Sequence, residues 1–318
     1  MEPAPFHDVP PGGLRPDRVW WMTAPDGVRL RAAHWAGQGG DALCVLLNGR
    51  TEFIEKFALP AAALVARGYQ VVSLDWRGQG LSDRAAEPHL KGHVGSFAEF
   101  QVDLDMLLDS VPVQEIAPGP RLLMAHSMGG AIATGALMRM EISGLFDAAV
   151  LSAPMYGIAM PGAMRVAAAV VMRVGMALGM DFKWPPFGDV ATPYVLTDAD
   201  PNVLTHDPEI WNWLVKVARE HDALNLAMPT LGWFSAATSE MKRIGKAGAL
   251  GIPALCLLGG AEEVVDPKAV RRTASRLGIQ VVEIDGARHE HFHESEPWRA
   301  QAWSAIDAFL ASHGLPAG

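Results

Sequence analysis

Cysteine is nearly absent from the 318 residues: only Cys44 and Cys256 occur, inside the apolar runs ALCVLLNG and PALCLLGG. Their expected use is as small buried hydrophobes rather than as a disulfide or a catalytic thiol. Clustered positive charge is also missing. The chain has 26 Lys and Arg against 35 Asp and Glu, a formal net charge of −9, and no Lys/Arg-rich run. That balance argues against nucleic acid as a partner and against tight electrostatic binding to anionic membrane. The first residues, MEPAPFHDVPPGG, show neither the basic nor the apolar region of a secretory signal, so a cytoplasmic protein is expected, with transient contact at a membrane surface left open. An uninterrupted run able to span a bilayer is lacking too. The nearest approach, AMRVAAAVVMRVGMALGM over 163–180, is broken by Arg165 and Arg173 and weakened by Gly175 and Gly179, which predicts a buried or interfacial helix. No motif speaks to oligomeric state.

What the chain has in quantity is apolar side chain, 50% of residues, enough for one large domain or one domain carrying an insertion. WWMTAPDGVRLRAAHWA reads as two strands turning at Asp26-Gly27. Short apolar strands then alternate with helical stretches: ALCVLLNG with KFALPAAALVARG, YQVVSLDWRG with SFAEFQVDLDMLLDSV, RLLMAHSMGG with AIATGALMRM. Such alternation implies crossover units and a mostly parallel sheet covered on both faces, an α/β fold. From about Pro154 to Gly248 the alternation stops, and it resumes at IPALCLLGG. The expected organisation is a core over 1–153 and 249–318, interrupted by a largely helical cap over 154–248.

GARHEHFHESEP, residues 286–297, spells H-E-x-x-H from His289 to His293. As a zinc site this pattern needs both histidines one turn apart on a helix. The preceding IQVVEIDGA reads instead as a strand ending in a turn, and Pro297 limits any helix beyond. No metal is expected. A histidine just after a late strand suits another role, the base of a hydrolase.

Ser127 in RLLMAHSMGGAIA directly follows an apolar strand and directly precedes a small-residue helix, where a nucleophile elbow belongs. Residues two before and two after such a serine must be small so that strand and helix can approach, and Ala125 and Gly129 meet that need. Ala125 departs from the usual G-x-S-x-G by one methyl. In this arrangement the chain order is Ser, acid, His, which puts the base at His289. His291 and His293 are expected on the surface or in local packing. For the acid, LLGGAEEVVDP offers Glu262, Glu263 and Asp266. Glu262 lies nearest the strand end; Asp266 is the alternative, although its place before Pro267 also suits a helix N-cap. Oxyanion donors are expected at the backbone N–H of Met128 and of Arg50.

With NGRTEFIEKF, VVSLDWRGQGLSDR, MAHSMGGAI, NVLTHDPEIW, MPTLGWFSAA, GAEEVVDP and GARHEHFHE in this order, the chain resembles the α/β-hydrolase superfamily over nearly its whole length. The likeness is to its bacterial lysophospholipase and monoacylglycerol-lipase-like branch. The resemblance implies Glu262 as acid where most relatives have Asp, His289 as base, and a helical cap over the site. Asn48 stands where many relatives have His.

The expected activity is cleavage of monoacyl lipids by a serine carboxylic-ester hydrolase, without a cofactor, with a small lipid or ester as the binding partner. Met155, Tyr156, Trp233 and Phe234 are candidate substrate contacts, drawn from a larger set of apolar residues that includes Met160, Trp184, Phe187, Trp211 and Trp213. Three other readings stand beside it: an esterase for small soluble esters, a zinc peptidase through His289 and His293, and a non-catalytic binding module.

Overall fold

The computed structural model describes residues 1–38, 40–116, 118–186, 190–197 and 202–318. Its strands are β1 (Glu2–Pro3), β2 (Arg18–Thr23), β3 (Arg29–Trp35), β4 (Ala42–Leu47), β5 (Tyr69–Asp75), β6 (Arg121–His126), β7 (Ala148–Ser152), β8 (Ala254–Gly259) and β9 (Gln280–Ile284). The helices are α1 (Ala58–Ala66), α2 (Phe97–Leu108), α3 (Val111–Gln114), α4 (Met128–Leu137), α5 (Met140–Ser143), α6 (Gly162–Ala177), α7 (Pro208–Glu220), α8 (Leu231–Ile244), α9 (Pro267–Leu277) and α10 (Trp298–Ser312). The strands form one sheet in the order β1-β2-β3-β5-β4-β6-β7-β8-β9. β1 to β3 are antiparallel, β3 joins β5 antiparallel, and every pairing from β5 to β9 is parallel.

The two-residue period of a strand explains why the central runs are apolar throughout. In β4, Leu43, Val45 and Leu47 enter one core while Ala42, Cys44 and Leu46 enter the other, on the opposite face. α2, α4, α8 and α9 cover the first face; α1 and α10 cover the second. Cys44 and Cys256 fall in different cores, so the sheet separates them, and burial pushes both thiols up in pKa. α2 begins with a full capping box, Ser96 and Glu99 satisfying each other's backbone N–H groups. The Asp26-Gly27 turn joins β2 to β3, with Gly27 at φ +87°.

Between β7 and β8 the described chain is helical, and two of its helices refine the expectation. First, α8 is not separate from the core: Trp233, Ala236, Ala237 and Ile244 are buried within it, against α2 and α4. Only α6, α7 and the connecting segments stand apart, and α7 builds a small cluster of its own from Ile210, Trp213, Leu214 and Val217 with Phe53. Second, α6 is not a buried helix. Gly175 is its one buried residue, and Val166, Val170, Val174 and Leu178 are 66, 56, 52 and 68% exposed, an outward stripe at four-residue spacing. No helix among the described residues is long and apolar enough to cross a membrane. Phe187 lies outside the described residues.

Candidate active site

Ser127 occupies the turn between β6 and α4 with φ +52° and ψ −117°, a left-handed conformation that costs a non-glycine residue energy and is held by its neighbours. Its N–H donates to Ser152 O at 2.9 Å, and its carbonyl accepts from the N–H groups of Gly130 and Met155, each at 2.9 Å. The turn is tight enough that a Cβ on Gly129 would sit 2.4 Å from Asn48 O, so glycine is required there. Ala125, in contrast, is accommodated without exposure.

His289 follows β9 and Glu262 follows β8, both at carboxyl ends of parallel strands, where loops leave an α/β sheet to build sites. His289 Nδ1 lies 2.8 Å from Glu262 Oε2. The other carboxylate oxygen accepts from Val264 N–H at 2.7 Å and Val265 N–H at 3.0 Å. Burial works against charge on both partners. On Glu262 it is outweighed by the imidazole and the two N–H donors, which lower its pKa; on His289 it is outweighed by the Glu262 carboxylate, which raises it above 6.5. With Nδ1 committed to the carboxylate, Nε2 is left for other work. Ser127 and His289 line one cavity of about 370 Å³. No hydrogen bond joins their side chains in this geometry; such contacts commonly tighten only with substrate bound.

The loop after β4 supplies the opposite wall. Asn48 is fully buried, its amide donating to Leu74 O at 2.6 Å and its carbonyl accepting from Trp76 Nε1 at 2.9 Å. Gly49 N–H donates to Glu52, and Gln79 Nε2 donates to Gly49 O at 2.7 Å. Thr51 takes φ +66°, so the chain turns sharply just past Arg50. Neither Arg50 N–H nor Met128 N–H donates to an acceptor among the described residues, which leaves both free for a ligand oxygen. Beneath the loop, Lys56 Nζ bridges Glu52 Oε1 at 2.6 Å and Glu290 Oε1 at 2.5 Å, all three side chains buried. Deeper still, Arg31 pairs with Glu55 and Asp75 at 2.7 Å, and Asp75 accepts from Ile54 N–H.

The H-E-x-x-H letters do not make a metal site. Residues 289–293 form a turn rather than a helix. His293 Nε2 is bonded to Lys56 O at 2.9 Å, and Glu290, the would-be base, is paired with Lys56. His291 and His293 are both fully buried rather than at the surface; His291 bonds Ser152 Oγ at 2.8 Å, and burial lowers its pKa to about 4. Glu52, His126 and Glu290 do bring ligand atoms within 4.8 Å of one another, but the Lys56 ammonium already serves both carboxylates.

Asp266 accepts from Lys268 N–H and Ala269 N–H at 3.0 and 3.3 Å as the N-cap of α9, and is not brought to His289. Glu263 points to solvent. Met155, Trp233 and Phe234 line the Ser127 cavity, and Arg50 lies with its guanidinium 5.3 Å from the Trp233 ring centroid. Tyr156 does not reach that cavity; its hydroxyl is buried against Thr134 Oγ1 at 2.7 Å. Sequence reasoning missed the Glu52, Lys56, Glu290 bridge. Glu52 and Lys56 are one helical turn apart and visible as a pair, but nothing local could have joined them to a residue 234 positions away.

Residues 38–296 match the family model described as serine aminopeptidase, S33. The chain belongs to this serine aminopeptidase S33 family. Its members are hydrolases, and this chain is an enzyme of that class with the α/β-hydrolase fold. It is 33% identical to lysophospholipase L2 of Escherichia coli K12, over 93% of this chain and 88% of that protein. It is 25% identical to phospholipase YtpA of Bacillus subtilis, over 86 and 97% of the two chains. Among solved structures, the monoacylglycerol lipase of Paleococcus ferrophilus superposes with a TM-score of 0.67 at 23% identity, covering 89% of this chain and 99% of that one. A soluble variant of the Saccharomyces cerevisiae monoglyceride lipase gives 0.71 at 17%, covering 94 and 97%. The last two show the fold.

Proposed function

We propose that this protein hydrolyses the carboxylic ester of single-chain acyl lipids, lysophospholipids or monoacylglycerols, with Ser127 as nucleophile, His289 as base and Glu262 as the orienting acid. The observation that carries the reading is the meeting, in one largely apolar cavity, of a serine on a strained strand-to-helix turn and a histidine held by a buried carboxylate. In this mechanism His289 Nε2 takes the Ser127 proton as Oγ attacks the ester carbonyl, and the N–H groups of Met128 and Arg50 receive the oxyanion. His289 then protonates the leaving alcohol, and water releases the acid from the acyl-enzyme by the same route.

The helical segment over the site supports a lipid substrate. Met155, Leu214, Leu224, Trp233 and Phe234 give the cavity an apolar lining suited to one acyl chain. An aminopeptidase would need a free carboxylate for the substrate's ammonium, whereas Glu52 and Glu290, which line this cavity, are both already engaged by the Lys56 ammonium. The outward stripe Val166, Val170, Val174 and Leu178 supports peripheral contact with a lipid surface, where such substrates reside.

The test joins labelling to turnover. A fluorophosphonate probe should attach to Ser127, and the protein should release fatty acid from lysophosphatidylcholine and monoolein. Ser127→Ala should fold and lose turnover by several orders of magnitude. Labelling with activity confined to short soluble esters would make this a small-ester hydrolase; absence of labelling would remove the serine mechanism.

A further inference from the structure

A second cavity, of about 580 Å³, opens between α6, α8 and α9. Ile158 and Phe234 line it and the Ser127 cavity alike, so these two side chains form the partition between them. Its interior is apolar, with Leu231 and Met241 beside the partition residues, but its rim is not. Arg165, Lys242, Lys246, Arg272 and Arg276 all border it.

Their gathering round one apolar cavity sets these cations apart. The chain as a whole carries a net charge of −9, yet among the described residues the only acid bordering this cavity is Asp266, which caps α9 and lies 3.6 Å from Arg165. Away from the cavity on the same helices, Arg243 pairs with Glu240 at 2.7 Å and Arg271 with Glu283 at 2.6 Å, while Arg173 and Lys268 form no ion pair among the described residues. Lys242, Lys246, Arg272 and Arg276 form no ion pair among the described residues. An apolar slot with an uncompensated basic mouth is complementary to an acyl chain that ends in an anion.

We propose that this cavity is a second lipid site, which binds one long-chain carboxylate with its tail along Ile158 and Phe234 and its head against Arg272, Arg276 and Lys242. The identification of that carboxylate with the acid released at Ser127 rests on the function proposed above; the site itself does not. Occupancy beside the shared partition would let the product acid act on the neighbouring acyl pocket through Phe234.

The experiment separates the two cavities. The full-length protein is first blocked at Ser127 with a long-chain alkyl fluorophosphonate, which fills the acyl pocket, and oleate binding is then measured by equilibrium dialysis below its aggregation concentration. One equivalent of oleate should bind to the blocked protein, and methyl oleate should bind at least tenfold more weakly. Arg272→Glu combined with Arg276→Glu should weaken oleate by tenfold or more while leaving turnover of p-nitrophenyl butyrate unchanged; the paired Gln variant guards against misfolding and should show a smaller loss. No oleate bound to the blocked protein, or affinity unmoved by the charge reversal, overturns the proposal. Oleyl phosphate binding ten times tighter than oleate overturns the carboxylate assignment in favour of a phosphate-headed lipid. Failure of the hydrolase reading would appear separately, as absence of labelling. In that case the Ser127→Ala protein, titrated with oleate with and without the charge reversal, still decides whether the second site exists.

Discussion

Glu262 spends both carboxylate oxygens at once, one on His289 Nδ1 at 2.8 Å and the other on the N–H groups of Val264 and Val265. The same hydrogen bonds that fix the loop thus fix the imidazole. Glu262→Gln should lower kcat by about 10² to 10⁴, because the amide cannot stabilise the imidazolium formed during attack. Asp266→Asn, at the α9 cap, should cost about 1 kcal/mol of stability by denaturant unfolding and leave kcat nearly unchanged. The reverse ranking in kinetics would move the acid to Asp266.

The pH profile follows from the direction of the His289 shift. Glu262 raises the imidazole above 6.5 in the folded protein, and the base works only when neutral. kcat/KM for a neutral ester should therefore fall on the acid side with a midpoint above pH 6.5. With Glu262→Gln the raising charge is gone while burial remains, so the residual activity should show its midpoint at lower pH. A limb that does not move would mean another group titrates.

Lys56 joins two buried carboxylates, so its removal leaves negative charge without compensation. Lys56→Met should destabilise by about 3 to 5 kcal/mol. Adding Glu52→Gln and Glu290→Gln should restore much of that loss. Turnover should recover only in part in the triple variant, because the neutral amide at position 52 accepts Gly49 N–H at the base of the Arg50 loop more weakly than the carboxylate does. Unfolding curves paired with single-turnover kinetics would separate the two effects.

Chain-length dependence tests the apolar cavity. Each methylene buried contributes at most about 0.8 kcal/mol, so kcat/KM on p-nitrophenyl esters should climb with acyl length and then flatten when the pocket is full. Phe234→Ala should move the break to longer chains by merging the space on either side of the partition, whereas Tyr156→Phe, away from the cavity, should leave it in place. Best turnover on the acetyl ester would make the overlying helices merely structural.

Sequence alone was enough to place Ser127, because a strand, a sharp turn and a helix with small flanking residues are local features encoded within a dozen positions. It was likewise enough for the alternating sheet, whose period lies within single strands, and for the Asp266 cap, which needs only the residues beside it. It was not enough to choose among Glu262, Glu263 and Asp266 without the family likeness; the backbone path after β8 turns one toward His289, one to solvent and one onto α9. The Met-rich run at 163–180 showed the right helix but not its outward apolar face, because hydrophobicity does not say which neighbour is absent. α8 looked like part of the insertion, and only packing against α2 and α4 assigned it to the core. The Lys56 to Glu290 bridge and the second cavity with its unpaired cations belong wholly to tertiary structure: both depend on side chains brought together across folded distance, and electrostatic energy there depends on burial and separation, neither of which is written in residue order.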